Sequence, residues 1–214
     1  HSDTEDRCLP AAARFAGEHR YTCMTTPPHL GGAYACGDSN TIMRDVSGYL
    51  MVKYRLKSVL DIGAGYGHCM KYFADHLVAV TGIDGDPACQ GPEQQCQGLV
   101  IQHDYTLGPC PQLGDKQFDM AWSAEFLEHV EERFIPHFMY DFKRCRMVVV
   151  THAEPGQVGH HHVNCKDDTY WVGVFNDWRF GHLADETALV RETDRWHAGW
   201  GRRTLMVFEN LDKL

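Results

Sequence analysis

The stretch Ser58–Gly67 constrains this chain more than any other part of it. Val59 and Leu60 are apolar, Asp61 and Ile62 follow, and glycines stand at positions 63, 65 and 67. An apolar run that meets alternate glycines predicts a buried strand, a tight turn and the start of a helix. Residues without a β-carbon let the backbone turn through left-handed conformations and let a ligand lie against it. A dinucleotide fingerprint needs its third glycine one position later, where this chain has His68. A plain turn between strand and helix explains the glycines equally well, so the rest of the chain must decide.

The rest repeats the pattern. A helix over 41–56, capped by Ser39, Asn40 or Thr41, precedes strand 58–62, and a helix over about 67–76 follows it. Apolar runs at 76–83, 99–102, 118–123 and 146–151 read as further strands, with a last one at 203–209. Helices are expected from about 124 and over 168–175. Near-continuous apolar strands alternating with helices predict a parallel sheet covered on both faces. The expected fold is α/β and Rossmann-like: seven strands, mostly parallel, helices on both faces and an antiparallel last strand. The 214 residues fit one domain, 1–214, with 1–40 as an irregular N-terminal cap.

Composition narrows the class. No apolar run approaches membrane-spanning length and no secretory signal is evident. The first residue is His rather than Met, as in an excised domain. The formal net charge of −9 repels phosphate backbones, which disfavours nucleic acid as a partner. Nine cysteines without a CxxC pair point to free thiols in a reducing cytoplasm rather than to disulfides or a zinc knuckle.

In parallel sheets, ligands sit beyond the carboxyl ends of the strands. Strand two ends in Asp84, whose carboxylate can accept two ribose hydroxyls, although it or Asp86 can equally cap a helix. Strand three is followed by Asp104 and Tyr105, an acceptor for an exocyclic amine and a ring to pack on. Ser123 ends strand four.

These segments together, ValLeuAspIleGlyAlaGlyTyrGly, ValThrGlyIleAspGlyAsp, GlnHisAspTyr and PheAspMetAlaTrpSerAlaGluPheLeuGluHisVal, resemble motifs I to IV of class I S-adenosylmethionine (SAM) dependent methyltransferases. The resemblance spans 58–151. It implies SAM lying over Gly63, Gly65 and Gly67, with Asp61 near its ammonium, Asp84 on the ribose, Asp104 and Tyr105 at the adenine, and Ser123 nearby. The segment Tyr34–Arg44 is placed to cap that pocket.

Glu125, Glu128 and His129 are spaced i, i+3 and i+4, which on a helix puts them on one face. Two carboxylates and an imidazole can form half a site for Mg²⁺ or Mn²⁺. First-turn glutamates can also simply complement a helix dipole. The loop after strand five adds His152 and then His160, His161 and His162, with His162 expected as the further metal ligand and His161 as its rival. The ExxEH segment with a later His resembles the metal site of small-RNA 3′-end 2′-O-methyltransferases, and its first half resembles ubiquinone-pathway O-methyltransferases.

SAM's sulfonium is already activated, so the protein's task is alignment and, for an aliphatic hydroxyl, removal of a proton. Chelation of two neighbouring oxygens lowers a hydroxyl's pKa, and a His (His152, His161 or His129) can take the proton near neutral pH. This chemistry points to a diol-like acceptor. The stretch ThrHisAlaGluProGlyGln…HisHisValAsn…TyrTrp is similar to methyltransferases that accompany glycosyltransferases in bacterial and viral glycan assembly, including domains fused to rhamnosyltransferases in large algal viruses. That resemblance implies a sugar or glycan acceptor, possible rhamnose among them, and a cytoplasmic setting, host cytoplasm for a virus. Trp171, Trp178, Trp196 and Trp200 offer aromatic faces for a sugar, or core packing. A catechol-like molecule and an RNA 2′-hydroxyl are the alternative acceptors. A non-catalytic SAM-binding subunit is a third reading, weakened because both the glycine turn and the Glu/His edge are intact.

Overall fold

The computed structural model describes residues 26–30, 37–193 and 200–213, with side chains undescribed at 200 and 201. Most of the 1–40 cap, Tyr34, Trp196 and the Trp200 side chain therefore lie outside the described residues.

Seven strands form one sheet: β1 (Ser58–Ile62), β2 (Ala79–Asp84), β3 (Val100–Gln102), β4 (Phe118–Ser123), β5 (Cys145–Val150), β6 (Phe180–His182) and β7 (Met206–Asn210). Their order is β3-β2-β1-β4-β5-β7-β6. The first five run parallel, and β7 is antiparallel to both β5 and β6. The helices are α1 (Arg44–Tyr54), α2 (His68–Asp75), α3 (Ile135–Phe142), α4 (Asp168–Asp177), α5 (Ala184–Thr193) and the short α6 (Trp200–Thr204). Among the described residues no helix is long and apolar enough to cross a membrane.

Successive residues of a strand face opposite ways, and the core divides accordingly. Leu60, Ile62, Val148 and Val150 pack with Phe138 and Phe142 of α3 and Trp171 and Phe175 of α4. Val59, Met147 and Val149 pack on the other face with Val46 and Leu50 of α1, Phe73 of α2 and Val190 of α5. Burying both faces explains why the strands carry no polar alternation. The six described cysteines are free thiols, five of them buried, so they act as small apolar groups.

Several elements depart from expectation. Helix 41–56 is split: Ser39–Ile42 is a 3-10 turn capped by the Asp38 carboxylate, and Met43 at φ 44° breaks it from α1. Strand β2 starts at Ala79 because Leu77, at φ 63° and almost wholly exposed, turns the chain out of α2. Most important, no α-helix starts at 124. Glu125 is left-handed at φ 55°, Leu127–His129 forms a 3-10 turn, and α3 begins only at Ile135, beside Pro136. The spacing of Glu125, Glu128 and His129 therefore does not place them on a common helical face. Trp171 is fully buried and Trp178, half-buried, meets Tyr140 edge to face (ring centroids 5.1 Å apart).

Candidate active site

The carboxyl ends of β1, β2, β3 and β4 and the loop after β5 enclose a cavity of about 570 Å³, a size typical of cofactor and small-ligand sites. It straddles β1 and β4, where the strand order reverses, the position at which open α/β sheets bind ligands.

One half is built largely from backbone. The amides of Gly63 and Ala64 donate to the Ile83 carbonyl (2.9 and 3.0 Å), folding the turn back over β2. Gly63 has φ 78°, and a Cβ built on it would lie 2.8 Å from Cβ of Phe126. Gly65, at φ 51°, has open space above it. The Gly65 amide donates to Oδ2 of Asp84 (2.7 Å), and the Asp86 amide donates to Oδ1 (2.8 Å). Burial pushes the Asp84 carboxyl up despite these donors. Asp104 accepts from the Thr106 amide (2.8 Å) and from Nε2 of His29 (3.1 Å); burial alone would raise its pKa, but these bonds hold it below the ordinary value.

Gly63, Gly65, Asp84, Asp104 and Tyr105 line the cavity, whereas Asp61, Gly67 and Ser123 stand behind it. Ser123 Oγ donates to the Ile62 carbonyl (2.8 Å) and braces β1 against β4. Gly67 is crowded by the Gln94 amide, so its lack of a side chain serves packing. Gln94, which no sequence pattern marks, ties the turn together by donating to the carbonyls of Gly65 (3.0 Å) and Cys89 (2.8 Å). Asp61 is buried, one of its oxygens has no partner, and burial with Asp84 nearby raises its pKa to about 8. A cation above that carboxylate would relieve the penalty. The open glycine turn, the uncompensated Asp61 and the acidic strand ends fit SAM, with its positive sulfonium and ammonium.

The other half is different in kind. Glu128 is fully buried and neither carboxylate oxygen has a hydrogen-bond partner. Burial, reinforced by Glu125, raises its pKa. One donor atom each from Glu128, His129 and His162 lie within 4.8 Å of one another. His129 Nδ1 is also buried without a partner, and burial next to His162 lowers the ring's pKa to about 4. His162 Nδ1 faces the Gln157 carbonyl (3.1 Å), so it carries the hydrogen and leaves Nε2 as an acceptor. Two imidazoles and a carboxyl that gives up its proton when a cation arrives converge on one point, and such a set fits a divalent cation. Glu125 lines the cavity but is not part of this cluster: its amide donates to Thr151 Oγ1 (2.8 Å), and that hydroxyl donates to its carboxylate (3.3 Å).

His161 lines the cavity in a left-handed conformation (φ 47°) with Nε2 unpartnered. His152 does not line it. It is buried, and its Nε2–H donates to Oδ1 of Asp168 (2.8 Å), pointing away from the acceptor space. The expectation that His152 serves as the base is thereby corrected. Gly37, Asp38 and Thr41 do border the cavity, as a capping segment should. His29 and Leu30 also close it, Leu30 against Gly85; they sit in a Pro-rich turn whose composition gave no hint of a site.

Residues 60–145 match the family described as "Methyltransferase domain". The matched segment runs from β1 to the first residue of β5 and so includes the glycine turn, Asp84 and Asp104. Solved structures share the fold. A TehB-like SAM-dependent methyltransferase from Corynebacterium glutamicum is 17% identical with a TM-score of 0.57, covering 81% of this chain and 89% of that one. Magnesium protoporphyrin IX methyltransferase from Synechocystis with bound SAM is 16% identical with a TM-score of 0.54, covering 79% and 77%. The methyltransferase domain of bacterial CtHen1-C is 18% identical with a TM-score of 0.54, covering 80% and 98%. No curated protein sequence matches this chain at a significant level.

Proposed function

We propose that this domain is a metal-assisted O-methyltransferase acting on a sugar hydroxyl that has an oxygen neighbour. The observation that carries this reading is Glu128: a fully buried carboxylate with both oxygens unpartnered, beside His129 and His162. Such a group costs several kcal/mol of stability unless a cation offsets it, so it is retained for what it binds. Glu128, His129 and His162 would hold Mg²⁺ or Mn²⁺, which lowers the pKa of a coordinated hydroxyl. SAM, held by the glycine turn, Asp84 and Asp104, supplies an already activated methyl group.

The chain's own part is alignment and proton removal. His161 is the base in this reading, because it lines the cavity and its Nε2 has no hydrogen-bond partner, while His129 is committed to the cluster. Glu125 can accept a hydrogen bond from a second acceptor hydroxyl. No Lys or Arg is among the described residues lining the cavity, which instead carries Asp38, Asp86, Glu125 and Glu131. Acidic walls suit a neutral polyol and repel an RNA end. A glycan acceptor, met alongside or in fusion with glycosyltransferases, is the setting this supports.

The test is methyl transfer from labelled SAM to a panel of glycosides including rhamnosides, catechols and RNA 3′ ends, with EDTA or with added Mn²⁺. Metal-dependent labelling of glycosides is expected. Equal labelling in EDTA would reject the metal, and labelling of RNA alone would reject the sugar.

A further inference from the structure

His152 looked like catalytic equipment and is not, yet it is held too well to be filler. Thr151 and His152 directly follow β5, and their side chains find different partners. Thr151 bonds Glu125 on the cavity side. His152 Nε2–H reaches Asp168 Oδ1 at 2.8 Å, and the other oxygen of Asp168 pairs with Arg191 of α5 at 2.9 Å. Asp168 is not needed as the cap of α4, since Asp167 does that by accepting from the Tyr170 amide.

The consequence lies in what the pair joins. His152 starts, and Asp168 follows, the loop that carries His162. A loop closed at its base loses much of its freedom. Within it, the amides of Val163 and Asn164 both donate to the Glu128 carbonyl (2.9 and 3.1 Å), and the Gln157 carbonyl fixes the His162 ring. The donor atoms of Glu128 and His162 therefore come together only if the loop keeps its register. We propose that His152, Asp168 and Arg191 form a positioning clamp that sets His162 against Glu128 and His129. None of the three touches substrate or cofactor. The inference rests on the metal reading above.

The experiment is a titration of the purified protein with Mn²⁺, followed by electron paramagnetic resonance, alongside SAM affinity by calorimetry. The probes are H152Q, D168N and the conservative D168E. The clamp predicts one site in the parent protein. It predicts Mn²⁺ affinity weakened about 10- to 100-fold in H152Q and D168N, with SAM affinity retained and much of the loss recovered in D168E. Mn²⁺ binding in H152Q and D168N equal to the parent's overturns the clamp and leaves the metal site standing. Loss of SAM and Mn²⁺ binding together assigns the pair to general stability, which also overturns it. No Mn²⁺ site in the parent protein sinks the metal reading and the clamp with it.

Discussion

The two halves of the cavity solve different problems. Around Gly63 and Asp84, the Asp84 and Asp104 carboxylates already have partners in the chain, with Asp61 as the exception, and the shape is made by backbone conformation. Around Glu128 and His162, buried polar atoms face one another with no partner. A satisfied site is rigid before its ligand arrives; an unsatisfied one costs stability until a ligand completes it. The first kind suits an invariant cofactor. The second suits a cation that organises the acceptor, and it is where function is held at the expense of folding free energy.

The contrast can be broken most forcefully at Gly63. Gly63→Val puts a branched side chain into Phe126 at a left-handed φ, and calorimetry should then detect no SAM binding; retained affinity would mean the glycine turn is not the cofactor cradle. Next, Glu128→Gln should lower kcat about a hundredfold or more while leaving SAM affinity intact. In EDTA the same variant should melt higher than the parent above about pH 8, where the parent's buried carboxyl has to ionise without a partner. A lower melting temperature would show that the carboxylate is satisfied after all.

A smaller effect should appear with pH. The Asp61 carboxyl titrates near 3.8 when unfolded and is raised to about 8 in the fold. The native state therefore holds a proton that the unfolded chain releases between those values, and stability contributed by that proton falls as pH climbs from about 4 to 8. Melting temperatures of the ligand-free protein should decline over that window, and Asp61→Asn should flatten the slope. An unchanged slope would mean the carboxyl is ionised in place. Smallest of all, His29→Ala removes one hydrogen bond from Asp104 and should change SAM affinity about fivefold; no change would place the 26–30 segment outside the cofactor site.

The sequence made the sheet legible because burial on both faces leaves long apolar runs, and β4 was read to the residue. It hid β6, since three residues after a left-handed Arg179 carry no period. It also misled at Glu125: helical spacing is a statement about pattern, and the left-handed residue that broke it has no signature in side-chain order. His129 and His162, whose donor atoms the fold brings together with that of Glu128, stood out in the sequence through spacing and clustering alone. His152 reads as a base in the sequence because it follows a strand end beside the ligand edge, but it and Thr151 are both buried there, and only the contact with Asp168 shows where its ring nitrogen goes.

The place of β7 carries a consequence for how the molecule is made. It lies between β5 and β6, so β6 gains its sheet neighbour only when residues 206–210 are available. Until then β5 presents an open edge during synthesis, and the chain depends on long-range pairing to close it. A ribosomal stall between 183 and 205, or a cut there before the sheet closes, should release an aggregation-prone intermediate whose cofactor half is already complete.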